Sequence, residues 1–473
     1  MRALAVALIL LIAPPAAAQV DRSSPPPLGP APQVRLPEIQ KHALSNGLPV
    51  WVVEQHEVPI VQVDLIVRSG SAADPVGRFG LASFTAALLD EGAGTRDALA
   101  IADVIDYLGA ELSTSSSFDA STVRLNVPVA RLADALPIMA DVALRPTFPK
   151  GEVERIRQER LTALQQGRDD PEDIARAAFP LVVFGPTHRY GTGATGTLAA
   201  LKTFTPDDLR AFHAARYQPS NAALLVVGDV KTAELLPLLE RAYGGWTAAA
   251  AAAPPVVPEP PQLRTRRSGI VDKPGAAQSQ VRIGWVGVPR STPDYYVLEV
   301  LNTILGGSFT SRLNQNLREQ HGYSYGAGSA FDMRRVAGMF FATAGVQGDK
   351  TAESVGEFFK ELTGMLQPIP DAEIAKAKNY LALSYPRDFE TSRAIAGQLA
   401  QAFVYDLPDD FFNTYVERIQ AVTPAEVQQA AKRYIQPDKF AVIIVGDRKT
   451  IEAPVGALKL GTLHFMSIEE AIR

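Results

Sequence analysis

Arg318 and Tyr325 stand seven positions apart in a stretch, Asn302 to Phe331, that reads N-T-I-L-G-G-S-F-T-S-R-L-N-Q-N-L-R-E-Q-H-G-Y-S-Y-G-A-G-S-A-F. A guanidinium and a phenol brought together can hold a peptide carbonyl and the oxyanion it becomes during hydrolysis. The plainer alternative is a surface arginine and a sheet-packing tyrosine, and the surroundings decide between them.

The local pattern says how the pair is positioned. Phe309 to Gln320 suits a helix, with Leu313 and Leu317 four apart on one face and Arg318 near its C-terminal end. Gly322 then ends the helix. Beyond it Tyr323, Tyr325 and Phe331 fall at odd positions while Ser324, Gly326 and Gly328 fill even ones, the alternation of a strand returning beside the helix end. Ahead of the helix, Gly306, Gly307 and Ser308 form a short glycine-rich turn.

Other chemistries require spacings that this chain lacks or places in the wrong context. A helical zinc site needs two histidines one turn apart with a carboxylate to polarise water. The six histidines are His42, His56, His188, His213, His321 and His464, no two of them four apart, and there is no cysteine. A self-contained catalytic zinc is therefore not expected. Gly191 to Gly196 matches G-x-G-x-x-G but follows His188-Arg189-Tyr190 rather than a hydrophobic strand, so a dinucleotide site is rejected. Gly322-Tyr323-Ser324-Tyr325-Gly326 matches the elbow of serine hydrolases, which would make Ser324 a nucleophile with His464 as the downstream base. That elbow requires strand then helix, and here the order is reversed. Glu152 to Arg160 mixes acids and bases along one helix, the pattern of a solvated face.

The chain is 473 residues long, with 47% hydrophobic and 21% charged residues, ordinary globular composition with room for two or more domains. Residues 1–18 carry one early arginine, an apolar run and an A-x-A site, and read as a cleaved secretory signal peptide. With no cysteine present, a bacterial periplasm is the expected destination. Losing residues 1–18 removes Arg2 and no acid, so the formal charge of -5 becomes -6, and nucleic acid is not an expected partner. No later apolar run spans a membrane, so no membrane insertion is expected after cleavage.

Residues 19–39 form a Pro-rich extended arm, and residues 247–266 an Ala/Pro-rich linker. The two sides of that linker end alike. Thr205-Pro206 recurs as Thr423-Pro424, Arg216-Tyr217 as Arg433-Tyr434, and Val227-Gly228-Asp229 as Val445-Gly446-Asp447, most pairs 218 residues apart. Tandem similar domains follow, at 40–246 and 267–455, with 456–473 left as a C-terminal tail. Strands and helices recur without strict alternation, which favours an α+β fold over a doubly wound parallel sheet.

Taken together, these pieces resemble the pitrilysin/insulinase family of zinc metallopeptidases, which includes mitochondrial processing peptidase. The likeness runs from Asn46-Gly47-Leu48 through Gly70-Ser71, Gly80-Leu81-Ala82 and His188-Arg189-Tyr190-Gly191 to the two Val-Gly-Asp ends, and is most specific from Asn302 to Tyr325. It implies two tandem domains, each a mainly antiparallel sheet packed with helices, forming half of a clamshell. It also implies that Arg318 and Tyr325 are catalytic, with Gly306, Gly307 and Ser308 binding substrate. Family enzymes carry H-x-x-E-H directly after the Gly-Leu-Ala. Here Ser83 and Ala87 replace both imidazoles and Ala86 the general base, while Glu159, 72 residues after Ala87, matches the third ligand. The resemblance thus implies a zinc-free subunit, with zinc in a homologous partner chain and peptides as substrates. A non-catalytic peptide-binding or assembly protein on the same fold is the alternative.

Overall fold

The computed structural model describes residues 29–30, 37–247 and 256–472, so the signal peptide expected at 1–18 and most of the expected Pro-rich arm lie outside the described residues, as does the alanine run of the expected linker. The fold is α+β. Its first sheet is built from β1 (Gln40–Ala43), β2 (Pro49–Glu54) and β3 (Ile60–Val67), followed, after a two-stranded ribbon of β4 (Gly92–Ala93) and β5 (Arg96–Asp97), by β6 (Glu111–Ser116), β7 (Ser121–Pro128) and β8 (Ala222–Gly228). The second holds β9 (Arg267–Asp272), β10 (Gln278–Val286), β11 (Ser324–Asp332), β12 (Met339–Gln347), β13 (Ala441–Gly446) and β14 (Leu463–Met466).

The strand orders are β1-β2-β8-β3-β7-β6 and β11-β12-β10-β13-β9-β14. Read from opposite ends, five of the six strands match one for one, β2-β8-β3-β7-β6 with β9-β13-β10-β12-β11. β8 runs parallel to β2 and β13 parallel to β9, and the neighbours beyond them are antiparallel. The edges differ. β1 is antiparallel to β2, whereas β14 comes from the far end of the chain and runs parallel to β9. Residues 463–466, which the sequence reading leaves in a tail, thus complete the second sheet.

The repeated sequence signals have local causes. In each copy a threonine caps a helix that begins with proline: Thr205 with Asp208, and Thr423 with Glu426, each form a reciprocal capping box. The strand that follows, β8 or β13, is buried along its whole length, as a central strand covered on both faces must be.

What covers those faces is less obvious. The helix Pro171–Phe184 belongs to the first copy by sequence, yet its apolar stripe of Ile174, Ala178, Phe179 and Val183 packs on β10 and β13 of the second sheet. The corresponding helix of the second copy, Ser392–Tyr405, lays Ile395, Leu399 and Phe403 on β3 and β8 of the first. The two copies exchange helices. Each exchanged stripe contributes a gross hydrophobic term on the order of 10 kcal/mol before chain entropy is counted. Among the described residues, no helix is long and apolar enough to cross a membrane.

Candidate functional site

The glycine turn is built for close approach. A Cβ on Gly306 would lie 2.3 Å from the Ser329 backbone nitrogen, and one on Gly307 2.8 Å from Asn302 Nδ2. Glycine therefore lets the turn lie directly on β11, where Ser329 N–H donates to Gly306 O at 3.2 Å and the Ser329 hydroxyl to Asn302 Oδ1 at 2.7 Å.

The helix expected at Phe309–Gln320 is shorter and differently wound. It begins at Arg312, and Gln315–Gln320 is a π-helix, with His321 N–H reaching back five residues to Asn316 O at 3.1 Å. Phe309 stays outside because the Asn314 side chain captures its carbonyl at 2.6 Å while accepting from Ala327 N–H at 3.2 Å. The wider turn keeps Leu313 and Leu317 both buried and lets Asn316 donate to Glu357 and Glu361, each at 2.7 Å. Gly322 adopts φ +65 and ends the helix, as the sequence indicated.

Gly306, Gly307, Ser308 and Phe309 line a groove of about 500 Å³ with Gly326 and Gly328 of β11. The Arg318 guanidinium rests on the Phe309 ring at 4.5 Å, and its nearest carboxylate is the neighbouring Glu319 at 3.4 Å. Tyr325 lies where the β11–β12 register shifts between Ser324 and Ala327, and its side chain is 90% exposed. Arg318, Tyr325 and the glycine turn are thus brought to one neighbourhood. No hydrogen bond joins Arg318 to Tyr325 among the described residues.

The serine-hydrolase alternative fails here. Ser324 opens a strand that follows a helix, and its hydroxyl is engaged by its own turn, donating to Gly326 O at 2.7 Å and accepting from Gly326 N–H at 3.0 Å. His464 lies on β14, at the opposite edge of the same sheet. Five inter-strand steps separate those edges, on the order of 24 Å.

The altered metal helix, Leu81–Ala86, is held firmly. Asp74 accepts from Gly80 N–H at 2.7 Å, Ala82 N–H at 2.8 Å and Arg189 Nη2 at 2.9 Å. Burial pushes the Asp74 carboxyl up to about 6, against the pull of Arg189. Arg189 also donates to Thr192 and Ser71, folding the Gly191–Gly196 loop over the helix start; this loop is a packing element, consistent with its missing dinucleotide context.

Ser83 and Ala86 are buried, and Ala87 is half-buried at the helix end. The residue that faces Ser83 is Arg160, whose guanidinium donates to the Ser83 hydroxyl at 3.0 Å and to Ser83 O at 2.9 Å. Burial, with no carboxylate to offset it, pushes Arg160 down to about 10. Glu159 is occupied by Arg155 at 2.7 Å. A fixed cation, a hydroxyl and two methyl groups do not suit Zn²⁺, which takes imidazole, thiolate or carboxylate donors. Among the described residues no group of three His, Cys, Asp or Glu could hold a metal. Sequence reasoning missed Arg160, because the mixed charges of 152–160 read as a solvated face.

The comparisons agree with this geometry. The family model described as "Insulinase (Peptidase family M16)" matches residues 50–180, and that described as "Peptidase M16 inactive domain" matches residues 203–381. An uncharacterised zinc protease of Mycobacterium leprae is 30% identical over 295 residues, 61% of this chain and 65% of that protein. One of Rickettsia bellii is 24% identical over 406 residues, 85% of this chain and 96% of that protein. The crystal structure of a peptidase M16 inactive domain from Pseudomonas fluorescens superposes with a TM-score of 0.80 at 25% identity, covering 86% of this chain and 98% of that one. The chain belongs to peptidase family M16, the pitrilysin/insulinase family, and is of the inactive-domain type.

Proposed function

We propose that this chain is the zinc-free subunit of a two-chain metallopeptidase, closing half of a clamshell over a peptide and presenting Arg318 and Tyr325 to a partner's zinc site. The observation that carries this reading is a contrast within one molecule. Where family relatives named as zinc proteases would need ligands, Arg160 is locked onto Ser83. Beside the glycine turn, by contrast, Arg318 rests on Phe309 with only the neighbouring Glu319 as an ion-pair partner, and Tyr325 is exposed where the strand register shifts. Arg318 then grips a substrate carbonyl, and the Tyr325 hydroxyl donates to the oxyanion that develops from it. Zinc and the water it activates belong to the partner. On this reading the pair lies in a periplasm, which the signal peptide expected at residues 1–18 supports for this chain.

The test is peptide cleavage by this chain alone, by a homologous H-x-x-E-H chain alone, and by the two together. Only the pair should cleave, and Arg318→Ala or Tyr325→Phe should each lower its kcat/KM by about 10²–10³, the usual cost of losing an oxyanion donor. Unchanged activity of the pair after both substitutions would rule the reading out.

A second reading, a non-catalytic peptide-binding or assembly protein, is favoured by one feature: the first sheet ends in an edge strand rich in small residues, β6. Such an edge offers unpaired N–H and C=O groups to an extended peptide. Peptide binding by the isolated chain, with no cleavage by any reconstituted pair, would select it.

A further inference from the structure

Beside the altered metal helix lies a cavity of about 300 Å³ whose walls share no residue with the glycine-turn groove. Leu164 of the helix Lys150–Gln166, Ala177 and Leu181 of the helix Pro171–Phe184, and Leu201 and Ile472 give it hydrocarbon walls. The Gly191–Gly196 loop adds backbone, and Arg160 stands in the same wall. The volume sits at the small end of ligand pockets, about 300–1,000 Å³.

Arg160 is under-used where it stands. Two of its five N–H donors are engaged, both on Ser83. Its Nε has no partner among the described residues and is not one of the buried atoms sealed from solvent, so it stays open to an occupant. A cation withdrawn from water is ordinarily paired. Here the acids nearby are engaged elsewhere, Glu159 by Arg155 at 2.7 Å and Asp173 by Arg176 at 3.7 Å, and the burial that lowers Arg160 to about 10 is not offset by any carboxylate.

The loop has the same surplus of donors. Arg189 draws the carbonyls of Thr192, Gly193 and Ala194 to itself, at 3.3, 3.3 and 3.4 Å. The N–H groups of Gly193 and Thr195, both wall residues, have no acceptor among the described residues. Donors without acceptors on two walls and hydrocarbon on the others suit an occupant with an anionic end and an apolar body. A single guanidinium suits a monoanion, and its planar fork matches the two oxygens of a carboxylate. Asp173, in the same wall, would repel a dianion such as phosphate.

We infer that this cavity binds a small apolar carboxylate, its anionic end on Arg160 and the Gly193–Thr195 backbone and its hydrocarbon body among Leu164, Leu181 and Ile472. The helix that takes no metal then backs an anion site. Binding requires neither Arg318, Tyr325 nor a partner chain, so the purified full chain suffices for the test.

Sodium octanoate and N-acetyl-L-leucine carry this chemistry from two sources, a fatty acid and the carboxyl end of a peptide. Calorimetric titration and thermal unfolding compare them with octanamide, which lacks the charge, and acetate, which lacks the hydrocarbon. At least one of the two carboxylates should raise Tm by a few degrees at about a hundredfold excess over its Kd, the tighter naming the source. Its uncharged amide should bind at least about tenfold more weakly, and acetate at least about a hundredfold. Arg160→Met should erase the preference for octanoate over octanamide. Since that substitution also strips Ser83 of its donor, Ala163→Trp serves as a second variant: from an exposed position in the same wall it fills the space, and it should weaken carboxylate binding at least about tenfold with an unchanged circular dichroism spectrum. No heat and no Tm shift with either carboxylate overturns the inference. So does equal binding of octanoate and octanamide, or undiminished binding by folded Ala163→Trp.

Discussion

Ser83→His, Ala86→Glu and Ala87→His together would write the missing motif back into the 81–86 helix, with Glu159 as the third ligand. We expect that triple variant to bind zinc poorly, and the cause is Arg160. Its guanidinium sits 3.0 Å from the Ser83 hydroxyl, so a metal on an imidazole at that position would stand about 4 Å from a fixed positive charge. At an effective dielectric of about 20, a divalent ion and a unit charge at about 4 Å repel by about 8 kcal/mol, which is about six decades in Kd. Swinging the guanidinium outward relieves this only in part, because Arg160 lies beside Phe84, and halving the repulsion still leaves about three decades. Structural zinc sites bind with about 10–16 kcal/mol, so even the halved penalty of about 4 kcal/mol removes about a quarter or more of the affinity in free-energy terms. The assay is zinc titration against a chromophoric chelator at neutral pH, with circular dichroism to establish that each variant is folded. Adding Arg160→Met to the triple variant should tighten zinc binding by at least about three decades. Equal affinity with and without Arg160, in folded proteins, would refute the reasoning.

Gly306→Ala should destabilise the chain by about 1–3 kcal/mol, because the new methyl meets the Ser329 backbone at 2.3 Å and the strand must move; urea denaturation measures it, and an unchanged midpoint would contradict the close packing. Phe179→Ala, on the exchanged first-copy helix, should cost about 3–5 kcal/mol, since its ring is fully buried against the second sheet; a loss under about 1 kcal/mol would mean the exchange contributes little. Glu299 gives a pH signature. Burial raises its carboxyl to about 7, against the nearby Arg290, so the native chain holds a proton that the unfolded chain has released. Its stabilising effect is complete below the unfolded value near 4.5 and declines as pH rises to about 7, by no more than about 3 kcal/mol in all. Denaturation midpoints should fall between about pH 5 and pH 8, and Glu299→Gln should flatten that slope; a wild-type profile already flat there would exclude the shift.

The parts of the fold that depend on neighbours in sequence were legible in the sequence. Thr205-Pro206 and Thr423-Pro424 announce capped helices because both capping partners lie within four residues, and the two Val-Gly-Asp strand ends read as buried strands because every residue in them is apolar or small. What depended on tertiary choice was not. The apolar stripe of residues 171–184 predicts a helix that must be covered, yet nothing in it says which sheet does the covering. β14 is four residues long, too short for alternation to be read, and it becomes a strand because β9 offers it an open edge. In the candidate site the glycine turn, Gly322 and Tyr325 were readable from local geometry. The π-turn at Gln315–Gln320 was not, because it is drawn out by Glu357 and Glu361 from a later helix. Arg160 was hidden for the same reason: its meaning lies in a contact 77 residues away.

The helix exchange bears on why a chain would keep a whole first copy after losing the metal ligands in it. The groove beside the glycine turn is composite. Glu172, from the first-copy helix Pro171–Phe184, lines it together with Gly306, Ser308 and Gly328 of the second copy. The same helix supplies the cover for β10 and β13, so the second sheet cannot bury its outer face without the first copy. Reciprocally, the first sheet needs Leu399 and Phe403 of the second copy. Removing the metal chemistry therefore leaves every packing obligation of the first copy in force. The buried Asp74–Arg189 pair still pins the start of the 81–86 helix, although that helix now carries no ligand. Selection on the groove alone is enough to preserve the scaffold around Ser83, and replacing the ligands while leaving the framework intact is the least disruptive way for such a chain to give up a metal.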